Sequence, residues 1–319
     1  MGNDLRAQSM TLPGTDLQVS ELCFGANVFG WSIREQATAN GLLNHLLERG
    51  VNFFDSADVY VERGEGNTGG ESETMLGQWL IDSGVKRDEV VMATKVGKLS
   101  SRSGLRASNI IQAAEESLQR LGTDYIDLYY AHYDDQDTPL EETLGAFDSL
   151  VIQGKVRYLG ASNYTVARLD EARTLATASG LAPYVAVQNH YNLVHRADYE
   201  AGMASYVENN GLAGLPYFSL ASGFLTGKYT RGSQPTSVRS EGVGSNYSTD
   251  AHFSTLDRLL EVASQHSVEP ASVALEWLRQ QPGVSVPIAS ASRVDQVAAL
   301  LRRVELSPDE LRQLSTRSQ

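Results

Sequence analysis

Gly50-Val51-Asn52-Phe53-Phe54-Asp55-Ser56-Ala57-Asp58-Val59-Tyr60 is the stretch around which the chain is organised. Leu42, Leu43, Leu46 and Leu47 precede it at helical spacing, and Gly50 is placed to end that helix. Val51–Phe54 then reads as a short buried strand. Asp55 stands where the strand ends, and Tyr60 lies in the loop just beyond. Two later strand ends carry partners of matching chemistry. Lys95 follows Val90–Thr94, and His132 follows Ile126–Ala131.

Outward from this stretch the chain repeats one pattern. Ser9–Ser20 reads as a hairpin turning at Pro13-Gly14. Core strands are expected at Glu21–Gly25, Val51–Phe54, Val90–Thr94, Ile126–Ala131, Val156–Ala161, Tyr184–Gln188, Leu212–Tyr217 and Val284–Ile288. Helices are expected between them, among them Arg34–Arg49, Glu71–Ile81, Ala107–Leu121, Leu140–Gln153, Thr165–Ser179 and Tyr199–Asn209. Thr255–His266, Pro270–Gln281, Val294–Val304 and Pro308–Leu314 follow as helices towards the C-terminus. Short apolar strands alternating with helices argue for a parallel sheet buried on both faces. Eight such units predict an α/β fold, a (β/α)8 TIM barrel with an N-terminal hairpin and extra C-terminal helices, one domain over residues 1–319. A doubly wound sheet would want Gly-x-Gly-x-x-Gly after the first strand, and Gly25-Ala26-Asn27-Val28-Phe29-Gly30 does not supply it.

Composition narrows the function classes. The formal net charge of −13, with no basic run, argues against nucleic acid or an anionic membrane surface as partner. The one cysteine, Cys23, excludes an internal disulfide framework and reads as a small core residue. No metal site is expected, because the six histidines lack ligand spacing. No run of 18 apolar residues or apolar leader stands in the chain, so the expected compartment is the cytoplasm. The sequence is silent on oligomeric state.

In such a barrel, active sites lie at the carboxyl ends of the strands. Asp55, Tyr60, Lys95 and His132 all fall there, a set suited to protonating a carbonyl oxygen. A free tyrosine has a pKa of about 10 and is a poor acid at neutral pH. A neighbouring lysine favours phenolate and is expected to lower that value, a carboxylate can hold the buried ammonium, and a histidine can orient the carbonyl. Singly, each has a blander reading. Asp55 alone is a cap or loop salt bridge, Tyr60 one of 14 tyrosines, His132 a structural histidine. Lys95 is harder to dismiss, since lysine is seldom buried without a partner. Their joint placement at successive strand ends carries the argument.

Residues 50–60, Glu71-Ser72-Glu73-Thr74-Met75-Leu76-Gly77, Ala93-Thr94-Lys95 and Leu121-Gly122-Thr123-Asp124-Tyr125-Ile126-Asp127-Leu128 together resemble the signatures of the aldo-keto reductases. The resemblance runs from the hairpin to the last helix. It implies Tyr60 as general acid, Lys95 and Asp55 as its tuning partners, His132 as substrate-orienting residue, and hydride transfer from a reduced nicotinamide to a small-molecule carbonyl. It implies cofactor contacts from Gly25, Ala26, Asn27 and Asp55, from Ser162, Asn163 and Gln188 towards the carboxamide, and from Tyr217 stacking on the ring. Phe218, Ser219, Leu220, Ser222, Leu225, Gly227 and Lys228 resemble the segment that covers the pyrophosphate. Ser290, Ser292, Arg293 and Gln296 stand where the adenosine 2′-phosphate is read. Arg293, near a helix start, favours NADP(H), with NAD(H) left open. Two departures stand out: Tyr217-Phe218-Ser219-Leu220 in place of the frequent Tyr-Ser-Pro-Leu, and Ile288–Arg293 in place of a more basic motif. Specificity elements are expected at Trp31, at the loop Glu62–Gly70, at Tyr133 and in Ala221–Asp250, a polar segment expected to fold over the pyrophosphate. Substrates of the class would be sugar aldehydes, keto sugars, aromatic aldehydes or small ketones. The rival readings are a nicotinamide-binding regulatory subunit and a Schiff-base aldolase using Lys95.

Overall fold

The computed structural model describes residues 5–231 and 246–316. A two-stranded antiparallel hairpin, β1 (Ser9–Thr11) and β2 (Gln18–Ser20), comes first. Eight parallel strands follow: β3 (Cys23–Gly25), β4 (Phe53–Asp55), β5 (Val91–Val96), β6 (Ile126–Ala131), β7 (Val156–Ser162), β8 (Tyr184–Gln188), β9 (Ala213–Gly214) and β10 (Ile288–Ala289). They pair in the order β10-β3-β4-β5-β6-β7-β8-β9. Between β9 and β10 the ring closes through single hydrogen bonds, Val286 N to Gly214 O and Ile288 N to Pro216 O. With helices outside, this is the (β/α)8 fold expected.

Alternation along the strands decides which side chains reach the centre. Successive residues of a strand point to opposite faces. Cys23, Phe53, Val91, Ala93, Leu128, Tyr130 and Ala186 share one core inside the barrel, where Leu12, Leu17 and Val19 of the hairpin join them. Phe24, Phe54, Met92, Tyr129 and Val187 belong to the second core, between sheet and helices. There Phe54 meets Phe24 and Trp79 edge-on, with ring centroids 6.4 Å and 5.3 Å apart. Burying a side chain of this kind contributes about 1.5–3 kcal/mol. The inward series Phe53–Asp55, Ala93–Lys95, Leu128–Tyr130–His132, Gly160–Ser162 and Ala186–Gln188 therefore ends, on five neighbouring strands, in a polar residue at the carboxyl end. Gly160 is required: a Cβ there would lie 2.4 Å from the inward Tyr130 ring.

The helices are α1 (Gln36–Glu48), α2 (Glu71–Ser83), α3 (Ala107–Leu121), α4 (Leu140–Ile152), α5 (Val166–Ser179), α6 (Ala204–Asn209), α7 (Asp250–His266), α8 (Pro270–Arg279), α9 (Val297–Leu301) and α10 (Pro308–Ser315). In α3, Ile110, Ala114, Leu118 and Leu121 form the buried stripe, and Gly122 at φ 63° ends the helix. No helix among the described residues is long and apolar enough to cross a membrane.

Several boundaries differ from the sequence reading. The strand at Glu21–Gly25 begins only at Cys23, because Glu21 turns aside to pair with Arg303. Leu212–Tyr217 shrinks to Ala213–Gly214, and Val284–Ile288 becomes Ile288–Ala289, starting after Pro287, which has no amide to give a ladder. Asp55 and Lys95 lie within their strands rather than just beyond them. The helix read at Val294–Val304 is a 3-10 turn, Val294–Gln296, followed by the five-residue α9. The one read at Tyr199–Asn209 opens with a π turn, Tyr199–Met203.

Candidate active site

Lys95 is fully buried, and each of its three protons has an acceptor. Nζ donates to Asp55 Oδ2 at 2.5 Å, to Ser56 O at 2.7 Å and to the Tyr60 hydroxyl at 2.7 Å. The Tyr60 hydroxyl in turn donates to Asp55 Oδ2 at 3.2 Å. Gln188 Nε2 donates to Asp55 Oδ1 at 2.9 Å, so the carboxylate is held from both sides. Tyr60 stays partly exposed, as a group that must meet a solute has to be. Its ring stands edge-on to His132, with centroids 6.1 Å apart. The imidazole is buried, and its Nδ1 has no protein partner.

Burial, then the Asp55 carboxylate, holds the Tyr60 hydroxyl well above the usual phenol range. The expectation that Lys95 lowers it is thus corrected. Asp55 lies nearer the ammonium than the phenol does and offsets its field at the hydroxyl. Tyr60 is accordingly protonated at neutral pH, the state a proton donor needs. Burial pulls Lys95 below the ordinary lysine range, against the pull of Asp55. Burial, then Lys95 and Lys98, pushes His132 well below its usual value, so the ring is neutral.

Beside this cluster a second polar group forms. Ser162 and Gln188 are buried, and Asn163 Nδ2 donates to Ser162 Oγ at 3.0 Å and to His132 O at 2.9 Å. The Tyr217 hydroxyl donates to Asn163 Oδ1 at 2.7 Å. Thr165, not Ser162 or Asn163, caps the following helix, accepting from Arg168 N. Asn163 at φ 60°, Phe218 at φ 53° and Ser222 at φ 55° lie in the left-handed region, a cost retained mainly where function uses it. Gly223, also left-handed, lies under Lys228, whose Nζ would be 3.1 Å from a Cβ there.

The remaining residues distribute unevenly. Ser290 Oγ donates to Gly25 O at 2.7 Å and approaches Asn27 Oδ1 at 3.0 Å, joining the first and last barrel strands at their carboxyl ends beside Ala26. Ser219 is buried with its hydroxyl turned to Pro216 O, and Phe218 is exposed. Leu225 is buried, and Leu220 packs against the core. Phe224, Leu225, Tyr229 and Tyr247 are apolar anchors in a segment read as polar; its residues 232–245 lie outside the described ones. Gly227 ends the 3-10 turn Ala221–Thr226 at φ 82°. Gln296 Oε1 accepts from Ser292 N at 2.9 Å. Arg293 is exposed, and both arms of its guanidinium bind Asp295, at 3.0 and 2.9 Å. The 3-10 turn that follows, Val294–Gln296, runs on into α9, so Arg293 stands at the cap of a short helical segment. Trp31 is exposed on the rim, and Lys98 sits over the Tyr133 ring at 5.8 Å.

Sequence reading passed over three residues here. Asn67 bridges Gly30 O and Val61 O, tying the loop after β3 to the one after Tyr60. His190 stacks near Tyr217 and bonds Tyr247 at 3.1 Å. Asp58 is buried two residues before Tyr60. Its signal was an acidic residue in the otherwise apolar Ala57–Val59.

Residues 21–317 match the family model described as the aldo/keto reductase family. Among curated proteins, the chain is 32% identical over 311 residues to a probable voltage-gated potassium channel subunit beta of Oryza sativa subsp. japonica, covering 94% of this chain and 92% of that one. It is 31% identical to Protein tas of Escherichia coli, with 95% of each chain covered. It is 32% identical to the uncharacterized oxidoreductase YrpG of Bacillus subtilis, covering 93% of this chain and 90% of that one.

Proposed function

The chain belongs to the aldo/keto reductase family, and from that premise we propose that it reduces an aldehyde or ketone to the alcohol, taking hydride from a nicotinamide cofactor, NADP(H) in preference to NAD(H), and the proton from Tyr60. The observation that carries this reading is the Asp55–Lys95–Tyr60 cluster, closed at 2.5 and 2.7 Å and opening on solvent only at Tyr60.

The residues at the barrel mouth fit such a cofactor. Ser162, Asn163 and Gln188 supply amide and hydroxyl groups of the kind that hold a carboxamide, and the Tyr217 ring stands beside them. The left-handed Ser222-Gly223 turn brings main chain and the Lys228 ammonium together, as a phosphate requires. A reduced nicotinamide bound there supplies the hydride that goes to the carbonyl carbon. Tyr60 gives its proton to the carbonyl oxygen, and Lys95, held by Asp55, stabilises the phenolate left behind. Neutral His132 orients the carbonyl beside Tyr60. A Schiff-base role for Lys95 is disfavoured, because all three of its protons are engaged.

Incubation with NADPH or NADH and a panel of sugar aldehydes, aromatic aldehydes and small ketones, read at the nicotinamide absorbance, tests the proposal. Carbonyl-dependent loss of the reduced cofactor supports it. Binding of the cofactor without turnover on any carbonyl would instead favour a regulatory subunit, the role printed in the names of the channel-subunit relatives.

Cofactor choice turns on Arg293. Because it is exposed and already shared with Asp295, its contact to a 2′-phosphate should be worth less than a buried charged hydrogen bond. Arg293→Ala should therefore weaken NADPH binding by roughly 5- to 30-fold and leave NADH nearly unchanged. Asp295→Ala should act oppositely, freeing the guanidinium and tightening NADPH alone. Dissociation constants for both cofactors decide it, and equal shifts for the two would remove Arg293 as the phosphate reader.

A further inference from the structure

Directly behind the Lys95 cluster lies a carboxyl that the proposed reaction does not use. Asp58 is 1% exposed, and neither of its carboxylate oxygens has a hydrogen-bond partner. Its amide donates to Lys95 O at 3.2 Å, which ties its backbone to the strand end that carries the lysine. A buried carboxylate in this condition is costly unless it is paired or protonated.

The charges packed around it come from four elements, and each cation already has a partner. Lys95 of β5 is bound by Asp55. Arg120 of α3 is bound by Glu73 of α2, which is fully buried and also accepts from Thr94 Oγ1. Arg102, in the loop after β5, is bound by Glu116 of α3. Three cations thus face four carboxyls, and Asp58 is the one left over. Tyr129 of β6, whose buried hydroxyl also lacks a partner, contributes no charge. Burial, then Glu73, pushes the Asp58 carboxyl up to about 7, against the weaker pull of Arg120, Arg102 and the Val59 amide. Asp58 also acts on Lys95, favouring its ammonium form.

We propose that Asp58 is a positioning residue of the hydride-transfer site, a buried carboxyl whose ionisation strengthens the proton hold of Lys95 and with it the Lys95–Tyr60 pair. This rests on the reading of Lys95 as the partner of Tyr60. With Asp58 protonated, Asp55 is the one carboxylate acting on Lys95; the Cys23 thiol, which also favours the ammonium when ionised, is kept neutral by burial. As Asp58 loses its proton, a second negative charge appears behind the ammonium. Asp58→Asn keeps the shape and removes that charge, so Lys95 gives up its proton at lower pH.

The test is an NMR titration of Asp carboxyl and Lys Cε carbons in wild type and Asp58→Asn, joined to the pH profile of turnover. In wild type the Asp58 carboxyl should titrate near neutrality, and the Lys95 Cε signal should inflect with it. In Asp58→Asn that inflection should vanish, and the Lys95 transition should move to lower pH by roughly 0.5–1, less than the shift a direct ion-pair partner causes. The alkaline limb of turnover should move down with it, while KM stays. Stability gives an independent reading. A carboxyl raised in the folded state contributes stability below the ordinary carboxylate range and loses it as pH rises through about 7. The melting temperature of Asp58→Asn should therefore gain on wild type from about pH 4 to about pH 7 and hold level above. An Asp58 carboxyl that titrates in the ordinary range near pH 4, or a Lys95 transition equal in both proteins, overturns the proposal. Should the variant fail to fold, the coincident inflections in wild type decide alone. A shifted Lys95 with no turnover in either protein would uphold the tuning and sink the reductase reading.

Discussion

Tyr60→Phe should lower carbonyl reduction by at least about 100-fold, the scale of a lost general acid. The substitution keeps the ring that stands edge-on to His132 and removes only the hydroxyl that accepts from Lys95 and donates to Asp55. Cofactor affinity and KM should change little, since Ser162, Asn163, Gln188 and Tyr217 are untouched. Stability should fall by no more than about 1–3 kcal/mol, because one Lys95 proton loses its acceptor. Single-turnover rates at saturating carbonyl separate the step from binding. Turnover within a few-fold of wild type would remove Tyr60 as the proton donor.

The barrel was legible because two periods ran through the chain without conflict. Ile110, Ala114, Leu118 and Leu121 mark a helix period, and Ala107–Leu121 came out to the residue. Ile126–Ala131 and Tyr184–Gln188, buried on both faces, did likewise. The shortest strands were misjudged because apolar flanks need not pair. Leu212 packs against the core, yet its amide bonds Val207 O of the preceding helix, and the ladder between β8 and β9 spans only Ala213 and Gly214. Hydrophobicity reports burial, whereas a ladder needs a partner amide in register.

Asp55, Lys95, His132 and Gln188 were readable as strand-end residues because inward alternation left them no other direction. What the sequence could not carry was the balance of fields. Whether Tyr60 is acidified by Lys95 or held neutral beside Asp55 depends on a few tenths of an ångström between Lys95 and two side chains 35 and 40 residues before it. The same holds for Asp58, whose significance appears only once Arg102 and Arg120 are seen to be taken by Glu116 and Glu73. Arg293 shows the reverse case. Its type and place suggested a phosphate contact, and two positions on, Asp295 already occupies the fork.

Lys95→Met should abolish measurable turnover and also cost stability, and a second substitution separates the two effects. Lys95 and Asp55 are both buried, and removal of one member of such a pair leaves the other charge without compensation, at about 3–5 kcal/mol. Lost activity in this variant alone could then reflect a disturbed fold. Asp55→Asn added to Lys95→Met removes the orphaned charge while keeping an acceptor for Gln188 Nε2. Replacing both partners of a buried pair is close to neutral. The double variant should therefore regain most of the stability, read by denaturant unfolding, and remain inactive. Recovery of turnover together with stability would show that Lys95 holds the barrel mouth together and takes no part in the proton transfer. Recovery of stability without turnover leaves electrostatic support of the Tyr60 oxygen as the function of the ammonium, because Met fills similar space and supplies no charge.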